Sequence, residues 1–157
     1  MPDVKTPHGP FLLDVMCGTL AVYLRMCGYD AAYAGDRDIE DDEKLLEWAR
    51  TEGRWLITRD VELATRAERA VLLKALDVER QLSELTAAGV ELELPETPTR
   101  CGRCNGRLDP VDSASDTPEY APDPFQTECF RCRACGQYFW RGSHWDRVAA
   151  TLEGLDH

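Results

Sequence analysis

The sequence predicts an α/β protein: a three-layer domain around a central parallel sheet, followed by a small zinc ribbon and a C-terminal helix. Three observations predict it. Short apolar runs alternate with segments of helical period as far as residue 94. Five of the seven cysteines crowd into the last third as CxxC pairs. Between these parts lies Pro95-Glu96-Thr97-Pro98-Thr99, a polar, Pro-bearing stretch suited to a linker, which divides the chain into 1–94, 95–99 and 100–157.

Phe11-Leu12-Leu13 is an apolar run closing at Asp14, as in a strand buried on both faces. Gly18 to Cys27 carries apolar residues at helical spacing and is stopped by Gly28. Tyr29–Ala34 forms a second strand, and Asp42–Thr51 a helix with Leu45, Leu46, Trp48 and Ala49 inward, closed by Gly53. A third strand, Trp55–Thr58, is again followed by a carboxylate, Asp60. A short helix over Val61–Glu68, a strand at Ala70–Leu73 and a helix over Val78–Ala88, stopped by Gly89, complete the pattern. Strands joined by helices of this length form a parallel sheet, whose ligands lie beyond the carboxyl ends of its strands.

Asp14 and Asp60 each follow a strand, so both project from that one edge. Further acids are available in Asp36-Arg37-Asp38-Ile39-Glu40-Asp41-Asp42-Glu43, before the second helix. Carboxylates converging on one point repel each other unless a divalent cation lies between them, and hard oxygen donors suit magnesium or manganese. Such a site can acidify a water and stabilise phosphoryl transfer. The competing reading makes Asp14 and Asp60 N-caps or turn residues and the acidic run a solvated loop. Cys17 and Cys27 read as small buried hydrophobes, since the one His of this part, His8, lies in an N-terminal segment without element signals.

Cys101-Gly102-Arg103-Cys104 and Cys132-Arg133-Ala134-Cys135-Gly136 are paired knuckles separated by 27 residues, the spacing of a closed tetrahedral zinc site. Cys129-Phe130-Arg131-Cys132 is also a CxxC, but the Gly after Cys135 favours Cys132 and Cys135 as ligands. A ribbon this small needs its metal to fold. Beyond it, Tyr138-Phe139-Trp140-Arg141-Gly142-Ser143-His144-Trp145 reads as a strand, a Gly turn and a helix capped by Ser143, with Trp145, Val148, Ala149 and Leu152 on one face. Aromatic residues interleaved with Arg make a platform for unpaired bases. Residues 109–128 read as a mobile loop without chemistry.

The formal net charge of −11 argues at first against a nucleic-acid partner. Its distribution changes that reading: residues 1–99 carry −9, residues 100–108 carry +3, residues 109–128 carry −6 and residues 129–147 carry +3. Both knuckles are therefore locally basic, through Arg103, Arg107 and Arg131 among others. Three Lys among eighteen basic residues suggest a high-salt, archaeal host. No run approaches the roughly 18 apolar residues of a membrane span, and the N-terminus does not read as a signal peptide, so a cytoplasmic location is expected.

Several pieces together resemble the Mut-seven C-terminal RNase domain family: Asp14; Gly18-x-Leu20-Ala21-x-x-Leu24-Arg25-x-x-Gly28-Tyr29-Asp30; Asp42-Glu43-x-Leu45-Leu46-x-x-Ala49; Thr58-Arg59-Asp60; Gln81-Leu82; and both knuckles with Trp140-Arg141-Gly142-Ser143-His144-Trp145. Cys17 stands where the family usually has a larger aliphatic residue, and Thr19 where it often has Lys, which removes a phosphate contact. The resemblance implies a PIN-like nuclease core, a metal-dependent endoribonuclease activity, and Asp14, Asp42 and Asp60 as ligands of catalytic magnesium or manganese. Asp41 or Glu43 could replace Asp42, Asp36 or Asp38 could act in the outer sphere, and Asp77 is a further acid near the same edge. Arg59 is placed beside the scissile phosphate or paired with one of the carboxylates, and Arg25 in a salt bridge or on RNA. The resemblance also places the zinc on Cys101, Cys104, Cys132 and Cys135, leaving Cys129 as a thiol, while Arg141 and His144 are expected on single-stranded RNA. Two further classes remain open: an RNA- or ribosome-binding module without turnover, and the toxin of a toxin–antitoxin pair. Asp14-Val15-Met16-Cys17-Gly18-Thr19 superficially resembles a haloacid-dehalogenase phosphatase, but Met16 stands where that chemistry requires a second Asp.

Overall fold

The computed structural model describes residues 6–155. Its first sheet comprises β1 (Phe11–Leu13), β2 (Ala31–Tyr33), β3 (Trp55–Thr58) and β4 (Ala70–Leu72) in the order β2-β1-β3-β4, all parallel. The crossovers are α1 (Gly18–Met26), α2 (Asp42–Glu52) and the short α3 (Val61–Arg66), followed by α4 (Val78–Ala87). The strands are shorter than the apolar runs suggest: Tyr29 and Asp30 precede β2, and Leu73 follows β4.

Because side chains alternate across a strand, the sheet feeds two apolar layers. Phe11, Leu13, Trp55, Ile57 and Val71 pack with Leu20, Leu24, Leu82 and Leu85 of α1 and α4. Leu12 and Leu56 face the other way, onto Leu45, Trp48 and Ala49 of α2 and Leu63 of α3. Helices on both faces make this the three-layer arrangement the strand–helix alternation predicts. Gly53 ends α2 with φ 65°, a left-handed conformation that costs glycine little.

The second sheet is antiparallel: β5 (Leu108–Pro110), β6 (Cys129–Cys132) and β7 (Tyr138–Trp140), with β6 central. α5 (Ser143–Glu153) follows, and its Val148 and Leu152, with Leu155, join the same apolar cluster as α1 and α4. The ribbon is thus fastened to the first sheet through its own helix. Two expectations are corrected here. Ser143 does not cap α5: Gly142 holds the N-cap position without a side-chain bond, and the Trp140 indole lies so close over it that a Cβ would come within 2.5 Å of Nε1. The 109–128 insert does not read as a structureless loop, because Asp109 and Pro110 belong to β5, Pro124 is buried, and Tyr120 sits against Tyr138 and Trp140 at 6.3 Å. Apolar and aromatic contact holds the insert against the ribbon despite its acidic composition.

Candidate active site and metal centre

The carboxyl ends of β1 and β3 adjoin in register, Leu13 opposite Ile57, which brings Asp14 and the Thr58-Arg59-Asp60 turn to one edge. Asp14 is buried. Its Oδ1 accepts the Val15 N–H at 2.7 Å, and its Oδ2 accepts the Thr58 hydroxyl at 2.7 Å. Thr58, with no exposed surface, in turn accepts the Asp60 N–H on Oγ1 at 3.0 Å. Asp60 caps α3 by accepting the Leu63 N–H on Oδ1 at 3.1 Å, leaving Oδ2 for another partner. Both aspartates are therefore N-caps: Asp60 keeps Oδ2 free for ligation, whereas both Asp14 oxygens already accept one hydrogen bond and would ligate through their remaining lone pairs. Thr58, which the sequence marks only as the residue before Arg59-Asp60, is the link between the two acids.

Asp42 opens α2 at the same edge. Partial burial, then the charges of Asp60 and Asp14, push its carboxyl above the usual range, with Arg66 opposing. The part of that shift due to Asp60 and Asp14, second to burial, is repulsion of the kind a cation would relieve. Among the described residues, the four zinc-knuckle cysteines are the one group of three or more metal-binding side chains whose donor atoms all lie within 4.8 Å of one another. The three aspartates share an edge without being drawn that close.

The neighbouring acids have other partners. Asp41 caps α2 by accepting the Glu43 N–H at 2.9 Å, and Glu43 pairs with Arg66. Asp36 accepts from Arg25 at 3.2 Å, Asp38 is exposed at the end of a 3-10 turn with φ 53°, and Asp77 caps α4 by accepting the Arg80 N–H at 3.1 Å. Tyr33, which the sequence reading passed over, braces the edge. Its hydroxyl donates to the Val15 carbonyl at 2.6 Å, and its ring occupies space that a Cβ at Gly35 would invade at 2.4 Å. The glycines at 18 and 35 are the sequence trace of that ring.

Arg59 sits at the edge with its Nε buried and without a hydrogen-bond partner among the described residues. The Cys17 thiol is pushed up to about 11 by burial and then by Asp14, with Arg59 opposing, which suits a packed thiol rather than a nucleophile. Arg25 is structural: it is buried, with Nε donating to Ala31 O at 2.8 Å and Nη1 to Gly102 O at 3.0 Å.

In the ribbon, Cys101 Sγ lies 3.6 Å from Cys135 Sγ, and Cys104 Sγ 3.5 Å from Cys132 Sγ. Four thiolates about 2.3 Å from a tetrahedral zinc stand about 3.8 Å apart, so the set fits a zinc ion. Amides support it: Cys104 N–H donates to Cys101 Sγ at 3.4 Å, and Ala134 and Cys135 donate to Cys132 Sγ at 3.3 and 3.4 Å. Burial opposes ionisation of Cys132, but those two amides, with the Cys104 and Cys135 thiols, bring it down to about 7. Gly106 is required, because a Cβ there would meet Cys132 Sγ at 2.7 Å. Cys129 stands outside this group, buried and donating to Thr127 O at 3.2 Å. The order of residues along the whole chain, from β1 to α5, matches the family model described as the Mut7-C RNAse domain over residues 10–152.

The chain belongs to the Mut7-C RNAse domain family.

No curated protein and no solved structure matches the chain significantly. A Mut7-C RNAse domain points to a nuclease with RNA as its substrate, and no helix among the described residues is long and apolar enough to cross a membrane. The basic residues expected on RNA have separate surroundings in the ribbon. Arg103 Nη1 donates to Gln137 Oε1 at 3.1 Å, Arg131 lies 5.5 Å over the Tyr138 ring, and Arg141 Nη1 donates to Glu96 O at 3.1 Å. Arg107 and His144 are exposed.

Proposed function

We propose that this protein is a metal-dependent endoribonuclease in which Asp14, Asp42 and Asp60 hold magnesium or manganese. The observation that carries this reading is the shared strand edge, with Asp14 and Asp60 joined through the Thr58 hydroxyl and Asp42 feeling both charges. A divalent ion held by these three carboxylates would supply an acidified water and positive charge for phosphoryl transfer. The chain's own residues do the rest. Thr58 and Tyr33 fix the Asp14 turn, the α3 cap fixes Asp60, and Arg59, whose buried Nε has no hydrogen-bond partner among the described residues, is the cation available to the developing phosphate charge. Hydrolysis displaces the 3′ oxygen and leaves a 5′ phosphate on the product. No side-chain nucleophile is needed, in keeping with the protonated Cys17 thiol. The zinc ribbon supplies basic and aromatic surface for single-stranded RNA.

The test is incubation of structured and unstructured RNA with magnesium or manganese, comparing the protein with Asp14→Asn and Asp60→Asn. Wild-type cleavage giving 5′-phosphate ends, lowered at least about 100-fold in either variant, supports the reading. Cleavage by wild type no better than by the two variants refutes the nuclease reading.

A further inference from the structure

Between the ribbon and α1 lies a cavity of about 270 Å³. α1 contributes Val22 and Met26 to it, β7 contributes Phe139 and Trp140, and α5 contributes Trp145. All five side chains are partly exposed, so they border an open site rather than a sealed core. The charged and titratable lining residues are Arg100, Arg103 and His144, and no carboxylate joins them. Neither arginine forms an ion pair among the described residues. Nη1 of Arg100 donates to Asn105 O at 3.1 Å and Nη1 of Arg103 to Gln137 Oε1 at 3.1 Å, both neutral acceptors. Each guanidinium therefore keeps its full charge and further N–H groups.

An apolar chamber lined by two indoles, with two arginines and no carboxylate at its border, suits a flat heteroaromatic ring on an anionic backbone. An apolar peptide side chain would fill the chamber but leave the cations without counter-charge. The size limits the occupant further, since drug-sized ligands occupy pockets of about 300–1,000 Å³. We propose that this cavity receives one unpaired nucleobase of single-stranded RNA, with Arg100 and Arg103 on the phosphates that flank it. The inference rests on the RNA-cleaving reading for its choice of polymer. It adds a nucleobase anchor separate from the acidic edge: Met26 is eight residues beyond Gly18, about 12 Å along α1 from the end that adjoins Asp14. RNA anchored here runs along α1 toward the carboxylates.

The experiment measures binding of short single-stranded oligoribonucleotides to the zinc-loaded full chain, in calcium to suppress turnover. Fluorescence of 2-aminopurine, placed at each position in turn, reports stacking. One position is expected to be quenched well above the others, and an abasic substitution there to weaken binding about ten-fold. Trp140→Ala should weaken the intact oligonucleotide by a similar factor. Val22→Trp, which fills the cavity from α1 and leaves β7 intact, should do the same and abolish the abasic effect. Zinc content and circular dichroism identify a variant that has failed to fold, in which case the other variant decides. Unchanged affinity in a folded variant, or equal quenching at every position, overturns the inference, as does filling of the cavity by a partner's side chain. The two readings fail separately. Intact cavity dependence with full cleavage by Asp14→Asn sinks only the nuclease; loss of cleavage in Asp14→Asn with cavity variants that bind normally sinks only the base pocket.

Discussion

Besides the packing of α5, Arg25 ties the zinc ribbon to the first sheet, and replacing it with Met tests that attachment. Three donors fan out from its buried guanidinium: Nε to Ala31 O at 2.8 Å, Nη1 to Gly102 O at 3.0 Å and Nη2 to Asp36 Oδ2 at 3.2 Å. Met keeps the apolar stem and removes all three. The Asp36 contact is half exposed and contributes little, about 0–1 kcal/mol. The Gly102 carbonyl belongs to a buried residue of the first knuckle, so leaving it and the Ala31 carbonyl short of a partner costs about 1–3 kcal/mol each. Arg25→Met is expected to lower unfolding stability by about 2–7 kcal/mol, read in urea at fixed zinc. Because Gly102 lies between Cys101 and Cys104, zinc should also pass faster to a chromogenic chelator. Asp36→Asn, by contrast, should stay within about 1 kcal/mol of wild type. If Arg25→Met loses less than about 0.5 kcal/mol and keeps its zinc as long as wild type, Arg25 does not join the two parts and the argument from its three bonds is wrong.

Three further outcomes follow from the site. Asp42 has a carboxyl raised above its unfolded value, so its favourable contribution exists while it is protonated and is lost as pH rises through the folded pKa. Asp42→Asn should therefore raise the Tm of metal-free protein near neutral pH and flatten the loss of stability above the ordinary carboxylate range, while removing most of the Tm rise given by manganese; a Tm that drops instead refutes the repulsion. Thr58→Val removes the hydroxyl between Asp14 and Asp60 without changing shape, and should weaken manganese binding about 10–100-fold in a titration at constant fold. Gly106→Ala places a Cβ against Cys132 Sγ and should leave less than one zinc per chain by metal analysis, whereas Gly154→Ala, with 3.5 Å of room, should keep it.

Much of this was legible in the sequence because it is local. The period of apolar residues placed every strand and helix of the first sheet, with differences of a residue or two at their ends. The spacing within Cys101-Cys104 and Cys132-Cys135 marked the ligand set, and the structure gathers those four thiols and leaves Cys129 aside. Asp14 and Asp60 announced themselves by following apolar runs. The partners of the remaining acids were not legible, since Asp41, Asp42 and Glu43 are adjacent and their spacing suits a cap, a ligand or an ion pair equally. Only the position of Arg66 on α3 assigns Glu43 to a pair, and only the Glu43 amide assigns Asp41 to a cap.

The sequence by itself determined which elements form, which cysteines can hold zinc and where acids meet the sheet edge. These follow from side-chain period and from the chemistry of residues a few positions apart. Tertiary structure decided what joins the parts. Asp30 meets Asn105 across 75 residues at 2.7 Å, Arg25 reaches Gly102 across 77, and Val148 and Leu152 of α5 lie in the core of the first sheet. Contacts between residues so far apart depend on how whole layers stack, and a helical face that is apolar shows that it will be buried without showing against what.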